Sequence, residues 1–370
     1  MVKNLTTIVK RAQELSEVDQ KAWTKLRLAN PRTYSPYFHM DYTQLISELR
    51  DDVYIACIYD TQTPIGFLPY QGQRFARPVG APMTDYHGFI CHYDIPALHI
   101  IKSAGIGAFH YSSSVNTSMH SFSQTEDEGV LMNIEKGPET WRQERDSSYR
   151  RHLKSNRRRI RKATEDIGEP RFEWLSTDQK VFDQLITWKK QKFSETGKYD
   201  VLSADWTMTL LKTLWSRQKA DLRCDMHALY FGDRLAAVDL GLSDGETFHS
   251  WIVAYDSELH SYAPGIQLLE ALIDAANNIG YHRIDLGAGT DGYKRHYASE
   301  DVKVSGGFIA AQGSAAALSN LYNKAEAFGQ KALKDAPGKL RRRYSQIAAC
   351  EDSLSGRAKA MLGAVATNRR

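Results

Sequence analysis

Apolar and polar residues follow two different periods along this chain, which predicts strands and amphipathic helices in mixed order. Continuous apolar runs bounded by turn residues predict buried strands at 53–59, 65–70, 226–231, 235–240 and 248–255. Spacings of three and four residues predict helices. The clearest helical run follows residue 264, at Leu268, Leu269, Leu272, Ile273 and Ala276. Residues 1–30 predict a polar helix. The fold class is therefore α/β, with mixed sheets flanked by helices.

The most informative stretch joins the strand at 248–255 to the helix after it through Pro264 and Gly265. Proline suits the first turn of a helix, and glycine lets a ligand come close to the backbone. A helix start without a side-chain cap offers N–H groups and the positive end of the helix dipole. This pattern favours a phosphate-binding turn. Gly280 is a suitable C-cap, and another short strand is predicted after it.

Two landmarks recur at one offset, which indicates an internal duplication. Tyr54 and His227 open similar strands, and Gly107 and Gly280 end similar helices; each pair is 173 residues apart. The same offset from Gly265 leads to 92, where no Pro-Gly turn occurs. We therefore predict a degenerate first domain at 1–148, a ligand-carrying second domain at 149–313 and a helical basic tail at 314–370.

A strongly basic helix is predicted at the start of the second domain. Eight of the thirteen residues in 150–162 are Lys or Arg, and apolar residues recur every seven positions. One interpretation is a solvated linker helix. The other is a clamp for an anionic acceptor, with Arg157 and Arg158 as its contacts. DNA binding is disfavoured because the run is isolated and lacks interleaved aromatic residues.

Composition and charge narrow the class of protein. The net charge of +4 argues against a dedicated nucleic-acid binder and permits an anionic ligand. The four cysteines show no paired spacing, so neither a disulfide framework nor a zinc motif is expected, and no metal is predicted. No apolar run is long enough for a membrane span. We expect a cytoplasmic protein, with a peripheral position at the inner membrane left open.

The stretch from Tyr262 to Gly280, with Tyr293-Lys294-Arg295 after it, resembles the CelD/BcsL-type acyltransferases, a branch of the GNAT superfamily related to Fem-type transferases. The resemblance implies tandem GNAT-like domains and an acyl-CoA co-substrate, acetyl-CoA or a longer ester. It also implies that the Pro-Gly turn is the pyrophosphate loop, although Tyr-Ala-Pro-Gly replaces the commoner Tyr-Ser-Pro-Gly. The expected cofactor-binding residues are Tyr255, Tyr262, Ala263, Pro264, Gly265, Ile266 and Gln267.

Acyl transfer to an amine requires a base, an oriented thioester and a donor for the developing oxyanion. The candidate catalytic residues are Asp239, His249, Tyr293 and Lys294. Asp239 interrupts an apolar strand, and His249 lies in the next strand. Candidate acceptor contacts are Asp291 and, in a Gly/Pro-rich loop, Asp85, Tyr86 and His87.

These observations favour an acyl-CoA-dependent N-acyltransferase that acetylates an amino sugar in exopolysaccharide or cell-envelope synthesis. Two other reactions stay open: long-chain N-acyl transfer to a lipid amine, and Fem-like aminoacyl transfer from charged tRNA. A non-catalytic scaffold that senses a cyclic dinucleotide is the alternative from another class. The basic clusters at 150–162 and 341–343 are the expected contacts for a membrane surface or a nucleotide.

Overall fold

The computed structural model describes residues 5–92, 94–217, 221–290, 292–333, 336–351 and 354–367. The chain forms two compact units, each assembled from separate stretches of sequence. The first unit consists of Met1–Asp127, Gly197–Leu211 and Lys303–Arg370. The second consists of Glu128–Thr196 and Lys212–Val302. The division at 148/149 and 313/314 stays a prediction about the duplicated halves.

The strands of the described chain fall into two similar series. In chain order they are β1 Leu5–Lys10, β2 Val53–Asp60, β3 Thr63–Gln71, β4 Phe75–Pro78, β5 Ile90–Cys91, β6 Ala108–Ser114, β7 Ser123–Asn133, β8 Pro170–Glu173, β9 Arg223–Phe231, β10 Arg234–Ser243, β11 Thr247–Tyr255, β12 Arg283–Ala288 and β13 Glu300–Ala310. The strands predicted at 53–59, 65–70, 226–231, 235–240 and 248–255 are confirmed.

The α-helices are α1 Glu17–Ala29, α2 Met40–Leu49, α3 Ala97–Ser103, α4 Pro138–Gln143, α5 Ser147–Asp166, α6 Gln179–Thr196, α7 Asp205–Arg217, α8 Pro264–Ile279, α9 Gly313–Leu333, α10 Ala336–Cys350 and α11 Leu354–Thr367. The single helix predicted over 1–30 is wrong in its first third, because Leu5–Lys10 is a strand that pairs with β2. Ser16 then caps α1 by accepting from the N–H of Asp19.

The two units repeat one pairing pattern. In the first, the order is β1-β2-β3-β4-β6, with β4 and β6 parallel and the other pairs antiparallel. In the second, the order is β8-β9-β10-β11-β12, with β11 and β12 parallel. The mixed α/β fold class is confirmed, and the repeated pattern agrees with tandem GNAT-like halves.

The last strand of each series lies in the other unit. The segment 129–133 of β7, which follows the first series, pairs with β12 in the second unit. The segment 305–310 of β13, which follows the second series, pairs with β6 in the first unit. Each unit therefore contains chain from both duplicated halves.

Helix α8 organises the core of the second unit. Its apolar face packs on side chains of β11, β12, α4 and α5, including Phe248, Ile284, Trp141 and Tyr149. Pro264 occupies the first turn, and Gly280 ends the helix in the left-handed region at φ 102°, as predicted. The helix predicted at 150–162 is confirmed within α5. Its fully buried residues are Tyr149, Asn156 and Ala163. The predicted apolar stripe, Leu153, Ile160 and Ile167, alternates with them at spacings of three and four and is packed against the cores.

Candidate functional site

Strands β11 and β12 pair only along the first part of β11. Their parallel pairing covers Thr247–His249 against Arg283–Asp285, whereas β11 continues to Tyr255. On the other side of β11, Asp239 of β10 lies opposite Val253. Because directly paired residues share a face of the sheet, Asp239 and Val253 point to the same side. That side carries the start of α8.

A β-bulge shapes this face. The partner of Leu240 is Ile252, but the partner of Gly241 is Ser250, so Trp251 is an extra residue in β11. A Cβ at Gly241 would collide with the carbonyl oxygen of His249 and the ring of Phe248. The bulge therefore requires glycine there. It turns Ser250 towards Asp239, and Ser250 Oγ donates a hydrogen bond to Asp239 Oδ2 at 2.8 Å.

Asp239 is a buried carboxyl with one oxygen available. Its side chain is 4% exposed, and among the described residues Oδ1 has no hydrogen-bond partner. Burial raises the pKa of Asp239 to about 7, since it disfavours the charged form more than the Ser250 hydrogen bond supports it. Such a carboxyl exchanges a proton near neutral pH, which a general base must do.

Tyr293 lies close enough to sense the charge of Asp239. Burial, and then the Asp239 carboxylate, raise the pKa of the Tyr293 phenol to about 12. The ring is 39% exposed and meets Tyr297 edge-on, with ring centroids 6.1 Å apart. The phenol therefore stays protonated at neutral pH and keeps a hydrogen to donate. The charge of Asp239 acts on the Tyr293 phenol, and the catalytic roles of both residues stay predictions.

Lys294 and Tyr297 fix the segment that carries Tyr293. Lys294 Nζ donates to the carbonyl oxygen of Leu286 at 2.6 Å, which ties the 3-10 turn Lys294–His296 to β12. Tyr297 is fully buried, and its hydroxyl donates to Glu270 Oε1 at 2.7 Å. In this arrangement Lys294 holds the turn beside β12 and thereby positions Tyr293.

His249 forms a pair of its own. Its Nδ1 lies 3.7 Å from Asp285 Oδ2, and both side chains are fully buried. Side chains alternate along a strand, so His249 points to the face opposite Ser250. The N–H of Gly287 donates to Asp285 Oδ1 at 2.7 Å. By this alternation His249 lies on the other face from Ser250, yet its charge still acts on Asp239, and its catalytic role stays a prediction.

At the start of α8, Pro264 has no N–H and the next turn is partly closed on itself, which leaves the N–H of Gly265 as the candidate for a ligand. Ala263 takes the left-handed conformation at φ 52°, and its carbonyl accepts from the N–H groups of Ile266 and Gln267. The N-cap residue, Ala263, has no side-chain hydrogen bond to this end. A Cβ at Gly265 would meet only Tyr255 at 3.7 Å and Val253 at 4.0 Å, both ordinary contacts. The fold thus does not require glycine at 265, and the residue leaves space beside the helix end.

Tyr262 and Gln267 brace this turn. Gln267 is buried, and its Nε2 donates to the carbonyl oxygens of Asn156 at 3.0 Å and Tyr262 at 3.3 Å. The Tyr262 hydroxyl donates to Asp166 Oδ2 at 2.7 Å. Both side chains thereby connect the turn to α5. Of the predicted cofactor-binding set, Tyr255 is the most open, with 40% of its surface exposed.

The predicted acceptor contacts are dispersed. Arg157 and Arg158 are exposed on α5 of the second unit. Asp85, Tyr86 and His87 belong to the first unit, and Asp291 lies outside the described residues.

His87 has a role within its own unit. Its Nε2 accepts from the backbone N–H groups of Ser112 and Ser113, both at 3.3 Å. Burial lowers the pKa of His87 to about 3, so the ring is neutral. A substrate contact by this residue stays a prediction.

Sequence reasoning missed Ser250 and Glu270. Ser250 interrupts the apolar pattern of β11, which is the signal that identified Asp239 in the neighbouring strand. Glu270 interrupts the apolar face of α8, and it accepts from the hydroxyls of Tyr149 and Tyr297. A carboxylate at a core position of an amphipathic helix indicates a buried network.

The described residues contain no group of three or more His, Cys, Asp or Glu side chains arranged to hold a metal ion. Across those same residues, no helix has both the length and the apolar composition needed to cross a bilayer.

Comparison with protein families matches one part of the chain. Residues 147–295 match the family model described as an acetyltransferase (GNAT) domain. That range contains Asp239, Ser250, Gly265 and Tyr293. No curated protein sequence matches the chain.

Solved structures agree on the fold. The crystal structure of FemX has a TM-score of 0.51 at 10% identity, over 79% of this chain and 96% of its own. A conserved protein of unknown function from Bacteroides thetaiotaomicron has a TM-score of 0.50 at 12% identity, over 81% of this chain and 98% of its own. A tandem GNAT protein from the clavulanic acid biosynthesis pathway has a TM-score of 0.44 at 8% identity, over 84% of this chain and 100% of its own. At such identities the likenesses to FemX and to the Bacteroides thetaiotaomicron protein concern the fold alone.

Proposed function

We propose that this chain, a GNAT-type acyltransferase by virtue of its domain at residues 147–295, transfers an acyl group from acyl-CoA to an amine. The observation that carries the proposal is the single face shared by Asp239, Ser250 and the start of α8. It combines a carboxyl with a pKa of about 7 and a helix end suited to phosphate.

Asp239 is the base in this proposal. The acceptor amine passes its proton to Oδ1 of Asp239, and the neutral nitrogen attacks the thioester carbonyl carbon. The carbon–nitrogen bond forms, the carbon–sulfur bond breaks, and the Tyr293 phenol supplies a proton to the departing sulfur. The nitrogen of the adduct then gives its second proton to the Tyr293 phenolate, which leaves the amide and restores the phenol. Ser250 orients the Asp239 carboxylate through its hydrogen bond to Oδ2. Lys294 positions Tyr293 from the neighbouring turn.

The CoA pyrophosphate is assigned to the turn at Ala263–Gly265. Two features support this assignment. The N-cap residue, Ala263, has no side-chain hydrogen bond to the helix start, and no Cβ at 265 fills the space beside Tyr255 and Val253. The buried brace through Gln267 holds the turn in place, so a ligand meets a preformed backbone.

The proposed acceptor is an amino sugar used in exopolysaccharide or cell-envelope synthesis, and acetyl-CoA is the proposed donor. The resemblance to the CelD/BcsL-type enzymes supports this class. The exposed arginines Arg157 and Arg158 are the proposed contacts for an anionic group on the acceptor, such as a nucleotide or lipid phosphate.

The test is release of free CoA from acetyl-CoA and palmitoyl-CoA, measured with a thiol reagent against a panel of amino sugars and lipid amines. Thiol release that depends on an amino sugar supports the proposal, provided that Asp239→Asn abolishes it. Palmitoyl-CoA with a lipid amine as the only active pair would replace it with long-chain transfer. Binding of a cyclic dinucleotide without any binding of CoA would indicate a scaffold instead.

A further inference from the structure

One side of helix α5 contacts both the segment that carries Tyr293 and the segment that leads into α8. Four residues of the helix recur at intervals of four, seven and seven, which places them along one line: Ser148, His152, Arg159 and Asp166. At the C-terminal end of this line, Asp166 Oδ2 accepts from the Tyr262 hydroxyl at 2.7 Å, directly before the turn at Ala263–Gly265.

The N-terminal end of the same line contacts the other segment. Ser148 Oγ and His296 Nδ1 are 2.8 Å apart, and His152 Nε2 lies 3.1 Å from the Tyr297 hydroxyl. The two histidine rings also stack, with centroids 4.7 Å apart. The middle of the line, where Arg159 lies, is therefore flanked by the two segments of the proposed site.

The Arg159 guanidinium lies next to groups that belong to each end. Its Nη1 donates to Asn156 Oδ1 at 3.4 Å. The backbone carbonyl of Asn156 in turn accepts from Gln267 Nε2, the side chain that braces the start of α8. Burial, and then the charges of His296 and Arg159, lower the pKa of His152 to about 4. Arginine is always charged, so a permanent positive charge lies beside the braced turn.

Two polar groups at this place have unused capacity. Arg159 is exposed, and no acidic side chain within the described residues forms an ion pair with it. Asn156 is 1% exposed, and its Nδ2 has no hydrogen-bond partner in that part of the chain. A buried donor without an acceptor costs free energy, so it indicates an acceptor that the described residues do not supply. A cation and an amide donor side by side suit an anion.

We propose that Arg159 is a further CoA-binding residue, whose guanidinium contacts a phosphate group of the CoA held at the start of α8. This inference rests on the acyl-CoA binding proposed above and adds to it a contact from α5. Arginine suits the contact because its planar fork donates two parallel hydrogen bonds to one phosphate. CoA offers two such groups, the pyrophosphate and the 3′-phosphate.

The test is isothermal titration of the full chain and its Arg159→Gln variant with CoA and with dephospho-CoA, which lacks the 3′-phosphate. We expect the variant to bind CoA about tenfold more weakly or less tightly still, because a charged hydrogen bond is lost. If Arg159 meets the 3′-phosphate, both proteins bind dephospho-CoA equally. If it meets the pyrophosphate, the variant binds dephospho-CoA more weakly by the same factor.

Two further variants assign the effect to this side chain. Arg161→Gln removes the same group two residues along, about 200° around the helix, where Arg161 is exposed. It should bind CoA as the wild type does. Arg159→Lys keeps the charge and should lose less affinity than Arg159→Gln, a rescue that a merely structural role of the side chain does not predict. Melting temperatures near that of the wild type verify folding.

The outcomes separate this inference from the proposed function. Equal CoA affinity in the wild type and Arg159→Gln overturns the inference and leaves the acyl-CoA site in place. A loss in Arg161→Gln as large as that in Arg159→Gln also overturns it, because the effect would then come from the net charge of α5. A wild type that binds no CoA removes both.

Discussion

At the residue scale, one carboxyl determines the expected pH dependence of catalysis. The pKa of Asp239 is about 7, so the base form accumulates as pH rises through neutrality. We expect kcat/KM to rise with pH around 7 and then level off. Asp239→Asn should lower kcat/KM about a hundredfold or more and flatten this rise, since general-base catalysis contributes on that scale. A pH–rate series on both proteins checks it; an unchanged profile in the variant would assign the base elsewhere.

The same carboxyl makes the folded protein less stable as pH rises. Its folded pKa lies above its unfolded value of about 3.8, so between pH 4 and 7 the folded state holds a proton that the unfolded chain has lost. This contribution to the free energy of unfolding decreases as pH rises through that window. Asp239→Asn should therefore gain stability relative to wild type with rising pH, by about 2–4 kcal/mol once above pH 7. Urea denaturation at pH 5 and pH 8 measures the difference.

Substitutions at Gly265 should change ligand binding without changing the stability of the fold. Its Cβ would find ordinary contacts, so Gly265→Ala should leave the melting temperature unchanged. Gly265→Trp would fill the space beside Tyr255 and should weaken CoA binding about a hundredfold or more, with a melting temperature near that of wild type. Isothermal titration with CoA compares the two variants. Equal affinities in both would remove the pyrophosphate assignment.

At the element scale, the bulge in β11 is what turns Ser250 towards Asp239. Gly241→Ala would place a methyl group against the His249 carbonyl and the Phe248 ring. We expect a loss of about 1–3 kcal/mol of stability, because overpacking in a core costs that much. Gly265→Ala is the control, as it adds the same methyl group in open space. Thermal melting of both variants at one pH tests this; equal melting temperatures would mean that the bulge tolerates a side chain.

Elements with strong periodicity could be predicted from the sequence, whereas contacts between distant residues could not. Strands β2, β3, β9, β10 and β11 and the helix after Pro264 were predicted because their apolar runs are long and bounded by turn residues. Leu5–Lys10 was predicted as helix although Thr6 to Val9 are all β-branched, a local strand signal that the polar pattern of residues 1–30 obscured. For Lys294, the sequence could not reveal that its ammonium is bound by the Leu286 carbonyl.

At the scale of the whole molecule, the 173-residue offset predicted a duplication, and both units do repeat one order of strands. The exchange of the last strands could not be predicted, because β7 and β13 carry no sequence signal that identifies their partners. Pairing between residues far apart in sequence depends on the complete fold. Asp239, in contrast, could be identified from the sequence alone, because a charged residue within a buried strand usually requires a role.

The exchanged strands also affect folding during translation and the stability of fragments of the chain. Neither duplicated half contains every strand of either unit, so a ribosome must release segment 305–310 before the first unit can complete its sheet. A fragment ending at residue 148 should aggregate or stay partly unfolded when expressed alone. Co-expression with 149–370 should restore a soluble complex, and co-purification of tagged halves measures it. A soluble, cooperatively melting 1–148 fragment would show instead that this half folds without segment 305–310.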